Sequence, residues 1–254
     1  MKTELTLAFA AAAFALMAQP VTLNGKAVAP TAEGAMELAP DQFASTAKMF
    51  PVDPAKKYII SGEFRSDGKA GNAPAVLLGV IPFDGSKRQI ARSMVDAIAN
   101  TETELAAAVR KGDKTLFVKD ASKWKKAPNA YAVAFDIKPD YADLPNRKLA
   151  LLIKKVVQVK DGWQIDVSQP VNRDYPAGTK VREHQEGSYC WCGLQNKTFS
   201  GNEWTIACGT VSGEYPVGAG NKKFWKGTRY VRIVLRRSKG TKLEFRNLEF
   251  GEEK

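Results

Sequence analysis

Tyr189, Trp191, Tyr215 and Trp225 place four aromatic side chains near expected loops and strand ends in the last quarter of the chain. Lys222, Lys223 and Arg229 are interleaved with them, and Arg65 and Arg92 stand further upstream. An aromatic face can stack on the C–H face of a sugar ring while polar side chains fix its hydroxyls. A guanidinium fork pairs with carboxylate or sulfate. Both chemistries belong to binding. Each aromatic also fits a core or hairpin-brace position, and each cation a solvated surface. Trp163 and Trp204, at the starts of expected strands, are assigned to packing.

Catalysis finds much less material. The single histidine, His184, lies in the polar stretch Arg182-Glu183-His184-Gln185 and reads as a surface or hinge residue rather than a general base. Gly213, Gly218 and Gly220 lack the strand-to-helix setting of a phosphate loop. Asp140 and Asp143 are plain loop acids, since glycoside hydrolysis depends on the separation of two carboxylates in space. Cys190, Cys192 and Cys208 are the only cysteines, and one disulfide is expected between Cys208 and either of the others, because a bridge from i to i+2 is strained. The spacing His-x5-Cys-x-Cys-x15-Cys is unlike a zinc pattern. No metal site, cofactor or catalytic residue is expected.

These residues are carried by a chain of 254 with a formal net charge of +11. Lys2 precedes the apolar, alanine-rich run Leu5 to Ala18, and Gln19-Pro20 follows it, the layout of a signal peptide cut after Ala18. A buried N-terminal helix is the alternative. The run is shorter than the roughly 20 residues a membrane-spanning helix needs. A soluble chain that is secreted, periplasmic or at the cell surface is expected. Removing residues 1–18 takes away one Lys and one Glu, so +11 persists and favours an acidic partner. The basic residues form short, scattered clusters with no nucleic-acid-reading motif, which turns attention from nucleic acid to anionic polysaccharide or another glycoconjugate.

Strand and turn signals run through the whole chain and predict an all-β protein. Strands are expected at Lys57 to Ser66, Ala75 to Pro82, Thr115 to Asp120, Tyr131 to Ile137, Lys148 to Val159 and Trp163 to Val167. More are expected at Lys180 to Arg182, Ser188 to Gly193, Asn202 to Val211, Gly227 to Arg237 and Thr241 to Phe250, with a bulge at Asn247. A short helical turn is expected from Thr101 to Arg110. Residues 19–100 and 187–254 read as one discontinuous β-sandwich, and 101–186 as a small β unit inserted between its strands, a placement that loops tolerate when their ends lie close.

The sandwich halves resemble a jelly-roll carbohydrate-binding module of the galactose-binding-like type. The resemblance rests on Tyr58-Ile59-Ile60-Ser61-Gly62-Glu63-Phe64-Arg65-Ser66, on Trp204-Thr205, on Tyr230-Val231-Arg232-Ile233-Val234 and on Leu243 to Phe250. Arg246 stands where such modules carry an acidic residue, so a structural calcium has no support there. Gly112 to Val118 and Tyr175 to Val181 look like small β-barrel-like units of phage tail and surface proteins, a likeness of fold that does not fix function. The resemblance implies an exported, non-catalytic glycan-binding protein. A structural or assembly protein of the cell envelope, whose inserted unit contacts other proteins, is the alternative. An enzyme using His184 is a third.

Overall fold

A computed structural model describes residues 21–253 apart from 28, 40–41, 69–73, 126, 194, 200 and 240–241. The expected signal peptide, residues 1–18, lies outside the described residues. In chain order the strands begin with β1 (Val21–Leu23), β2 (Lys26–Ala27), β3 (Met36–Leu38), β4 (Phe43–Thr46), β5 (Phe50–Pro51), β6 (Lys57–Arg65) and β7 (Ala75–Phe83). The middle of the chain gives β8 (Thr103–Glu104), β9 (Thr115–Val118), β10 (Tyr131–Phe135), β11 (Leu149–Ala150), β12 (Ile153–Val159), β13 (Gly162–Val167) and β14 (Lys180–Gln185). The last four are β15 (Gln195–Thr198), β16 (Thr205–Ser212), β17 (Tyr230–Lys239) and β18 (Leu243–Glu252). A 3-10 turn at Arg92–Met94 interrupts this all-β pattern. Among the described residues no helix is long and apolar enough to cross a membrane.

Two antiparallel sheets enclose the first core. One is seven-stranded, in the order β15-β7-β17-β4-β1-β2 with β5 also on β17; the other is four-stranded, β16-β6-β18-β3. Alternation along each strand makes this sandwich possible. On β6 Tyr58, Ile60, Gly62 and Phe64 turn inward and the residues between them outward. Gly62, which interrupts the apolar stripe, makes room for a neighbour: a Cβ there would come within 2.7 Å of Leu248 Cδ2. On β17 Val231, Ile233 and Leu235 join the same cluster from the opposite sheet. Full burial of a side chain such as Phe64 or Phe245, both closed to solvent, stabilises by roughly 2–3 kcal/mol.

A second apolar cluster shares no residue with the first. It draws on residues between 105 and 181, whereas the first draws on 21–95 and 190–250. Its sheets are β12-β13-β9 and β11-β10-β14-β8. Phe135 stacks on Tyr175 at 4.1 Å within it.

Three local expectations are corrected. The stretch from Thr101 is extended rather than helical, because Leu105 and Val109 are buried by backbone bridges to Val118 and Tyr175, and this pairing overrides local preference. The strand expected from Lys148 to Val159 breaks between β11 and β12, where Leu152 takes a φ of 62°. Ser188 to Gly193 forms no regular strand and is tied to β7 by an isolated bridge, Cys190 to Val80, and by the Gly193 N–H donating to Leu78 O at 3.0 Å. The bulge expected at Asn247 is present: its φ is 51° and the register of β18 on β6 shifts between Arg246 and Glu249.

Candidate functional site

Because Val231, Ile233 and Leu235 point into the core, the alternate residues of β17 project from the outer face of the seven-stranded sheet. Register places Arg232 opposite Ile81, Val234 opposite Gly79, and Arg236 between Leu77 and Phe43. Directly paired residues share a face, so the outer face combines apolar side chains with two arginines. Phe83 and Tyr230 lie opposite each other at its end. The Arg236 guanidinium sits 5.4 Å from the Phe43 ring centre, and that of Arg232 lies 5.4 Å from Phe83. Lys87 Nζ lies 5.5 Å from the Tyr230 ring.

The segment carrying Tyr189 and Trp191 folds over this face. Its backbone is tied to the outer edge of β7, with Val80 N–H donating to Cys190 O at 2.8 Å and Cys190 N–H donating to Val80 O at 2.9 Å. Such close approach requires Gly79, where a Cβ would run into the Cys190 carbonyl. Phe43 lies two strands away, roughly 10 Å across the sheet, yet Tyr189 meets it edge-on at 5.2 Å. Tyr189 therefore reaches back over the sheet. Trp191 meets Tyr189 edge-on at 5.5 Å, completing a row of three half-buried rings beside Arg236. Burial pushes the Tyr189 hydroxyl up, and the positive charge of Arg236 pulls it partly back.

Neither arginine has a carboxylate. Among the described residues no ion pair or side-chain hydrogen bond holds the guanidinium of Arg232 or Arg236, and the Nε of each is shielded from solvent without an acceptor. An unmet, shielded donor costs about 1–3 kcal/mol.

The remaining sequence candidates are dispersed. Trp225 is only 1% exposed and its Nε1 donates to Gly220 O, so it is a core residue and not a stacking platform. Tyr215 is half-buried against the core with Lys223 Nζ 5.6 Å from its ring, and Lys222 is exposed nearby. Arg229 pairs with Glu214 at 3.3 Å, and Arg92 with Asp96 at 2.6 Å. Arg65 binds Glu244 at 2.7 Å and Glu33 at 3.2 Å on the outer face of the four-stranded sheet. Two pairs of candidates are thus brought together, Tyr189 with Trp191 on the sheet face and Tyr215 with Lys223 apart from it. Phe43 and Arg236 complete the Tyr189 and Trp191 group, with Arg232 beside Phe83 on the same face; all three were missed as site residues, although the alternation of β17 already puts its arginines on the face opposite its core residues.

The expected disulfide is absent, and all three cysteines are free. Cys190 and Cys192 are buried in the sandwich core, whereas Cys208 is exposed on β16, between the buried Ala207 and the half-buried Gly209. Their side chains lie on opposite sides of the sheet and cannot meet. Burial and a hydrogen bond with Cys192, the latter the larger cause, raise the Cys190 thiol well above its ordinary value.

His184 is fully buried rather than on a surface or hinge. Its Nδ1 lies 2.7 Å from Ser93 O and its Nε2 3.1 Å from Arg182 Nε. A carbonyl can only accept and a guanidinium can only donate, so the ring is the neutral Nδ1–H tautomer. Burial, then the charge of Arg182, lower its pKa to about 4. Asp143 is no plain loop acid either, since it pairs with the fully buried Arg182 at 3.1 Å. Burial raises the neighbouring Glu183 to about 7, and both its oxygens accept the Lys125 N–H. No group of three or more His, Cys, Asp or Glu side chains that could hold a metal occurs among the described residues.

The chain matches no protein-family model, no curated protein and no solved structure. A row of rings with two uncompensated guanidinium groups can stack an apolar ring face and pair an anion at the same time.

Proposed function

We propose that this is an exported, non-catalytic protein that binds anionic polysaccharide or a similar glycoconjugate on the outer face of its seven-stranded sheet. One observation carries the reading: Arg236 stands without a carboxylate partner beside the Phe43, Tyr189 and Trp191 row, and Arg232, likewise without one, stands beside Phe83 further along the same face. Uronic acids and sulfated sugars present both matching surfaces, an apolar C–H face and an oxyanion. The strand rise puts the two arginines roughly 13 Å apart, so an extended, multiply charged chain engages both better than a monosaccharide does. The net charge of +11 raises the local concentration of such polymers.

A glycan array with neutral, carboxylated and sulfated oligosaccharides tests this reading. Binding confined to acidic glycans and lost in Trp191→Ala is the expected result. Binding unchanged in Trp191→Ala, or equal retention of neutral glycans, would overturn it.

A second reading, an envelope assembly protein, is favoured by one observation in the inserted unit. Phe117 is 41% exposed on β9, at the edge of the three-stranded sheet. Self-association or envelope-protein capture that disappears in Phe117→Ser would support it, and light scattering from a concentration-independent monomer would count against self-assembly.

A further inference from the structure

Where the two clusters of strands meet, the turn after β7 and Gly227 face the loop between β10 and β11 across an open cleft of about 600 Å³. Its walls carry five cations, Arg88, Lys138, Arg147, Lys148 and Arg173, and three carboxylates. The carboxylates are all engaged. Asp84 binds Arg88 at 3.0 Å and Arg147 at 2.9 Å, so one acid faces two guanidinium groups. Asp136 binds Lys148 at 2.6 Å. Asp143 is turned to the buried Arg182 at 3.1 Å and to Asn146 Nδ2 at 2.9 Å. Lys138 and Arg173 have no side-chain hydrogen bond or ion pair among the described residues, and both are exposed. Two carboxylates are left to offset five cations.

The array is also fixed in place. Asp84 Oδ1 accepts the N–H groups of Ser86 and Arg88, which holds the turn, and Arg147 spans the junction to donate to Gln89 O at 3.0 Å. Burial pushes the Asp84 carboxyl up, but the Arg88 and Arg147 contacts outweigh it and hold the group below its ordinary value. Asp84 thus stays ionised and keeps the two arginines in place. Cations held apart by the fold need little reordering to receive a ligand.

We propose that this cleft binds a tetrahedral oxyanion, a sulfate or phosphate group, between Lys138, Arg173 and the Asp84-bound arginines. The two cations without partners would be the main donors, and Arg147 would share itself between Asp84 and the ligand. The oxyanion could arrive as a substituent on a sugar or as a free ion. The site shares no residue with the sheet face and stands whether or not that face binds glycan.

Isothermal titration calorimetry at constant ionic strength separates site binding from charge screening. Inorganic sulfate, inorganic phosphate and a sulfated monosaccharide are the probes. Saturable binding of the inorganic ions at one site is expected, weakened roughly tenfold or more in Lys138→Ala/Arg173→Ala and unchanged in Trp191→Ala/Arg236→Ala. In the Trp191→Ala/Arg236→Ala background, which removes the sheet-face contacts, a sulfated sugar that binds more tightly than inorganic sulfate identifies a glycan substituent as the source, and equal affinity identifies the free ion; both outcomes support the site when that binding is weakened by Lys138→Ala/Arg173→Ala. Because Lys138 and Arg173 are exposed and unpaired, the variant should melt with the parent protein. Non-saturable heats, or equal affinity in parent and Lys138→Ala/Arg173→Ala, would overturn the proposal.

Discussion

The two outer faces of the sandwich use the same residue types to opposite ends. On the four-stranded sheet Arg65 binds Glu244 at 2.7 Å and Arg246 binds Glu63 at 2.8 Å, while both guanidinium groups lie within 4.6 Å of the Trp204 ring centre. Charge and ring face are already satisfied there. On the seven-stranded sheet Arg232 and Arg236 lie beside rings but face no acid, because the directly opposed residues are Ile81, Leu77 and Phe43. An arginine next to an aromatic ring is therefore no sign of a binding site by itself. What separates the two faces is the residue across the strand pair.

The largest contrast is expected from removing both arginines of either face. Arg232→Ala/Arg236→Ala should weaken binding of an acidic polysaccharide about 100-fold, at roughly 1.4 kcal/mol per arginine, with little loss of melting temperature. Arg65→Ala/Arg246→Ala should leave affinity within about twofold and instead cost about 1 kcal/mol of stability for each broken pair. Affinity chromatography on a sulfated matrix and thermal melts read both quantities. Equal affinity losses from the two double variants would erase the proposed difference between the faces.

A smaller effect is expected when the open face is given the chemistry of the closed one. Leu77 is directly opposite Arg236, so Leu77→Glu places a carboxylate where Glu244 stands relative to Arg65. A cross-strand pair of opposite charge contributes about 0.2–1 kcal/mol, so the fold should tolerate the change. Affinity should fall about tenfold because the new acid competes for the guanidinium and repels an anionic ligand. An affinity equal to that of the parent would show that Arg236 is not a ligand contact.

Patterning made much of the sandwich legible: β6, β17 and β18 follow from apolar stripes of period two, β7 from a continuous apolar run between turn signals, and the bulge at Asn247 from the break in the last stripe. Site geometry was harder to read because it depends on register between distant segments. Glu244 lies 179 positions from the arginine it neutralises, and no local pattern indicates that Arg65 is occupied while Arg236 is free. Phe43 joins the site only because β4 lies beside β17. Trp225 misled for a similar reason, since a basic, glycine-bearing neighbourhood resembles an exposed loop but here closes over the core. The cysteines fall close together in sequence while pleating sends Cys208 to the other side of a sheet. His184 sits among polar residues, as a surface residue would, yet its neighbour Arg182 and the distant Ser93 carbonyl supply the hydrogen bonds that let it be buried.

Acid should expose the weakest difference between the faces. Burial raises Glu63, but Asn247 and Arg246 outweigh it; burial raises Glu244, but Arg65 and Lys242 do the same there, leaving both carboxyls below their ordinary value. In the unfolded chain these groups take up protons near pH 4.5, while in the fold they do so only at lower pH. Their contribution to stability is complete above about pH 4.5 and disappears as pH falls through the folded values. Arginine stays charged throughout, so the open face adds no such dependence. His184, lowered to about 4, loses its own contribution between its ordinary 6.5 and 4, and this loss is common to every variant of either face. The difference between variants therefore isolates the carboxylates. From about pH 5 to about pH 3, Arg65→Ala/Arg246→Ala should lose less melting temperature than the parent, by an amount worth about 1 kcal/mol or less because the pairs are partly exposed. Arg232→Ala/Arg236→Ala should follow the parent curve. Parallel curves for the parent and Arg65→Ala/Arg246→Ala would mean that the closed face is not held by its ion pairs.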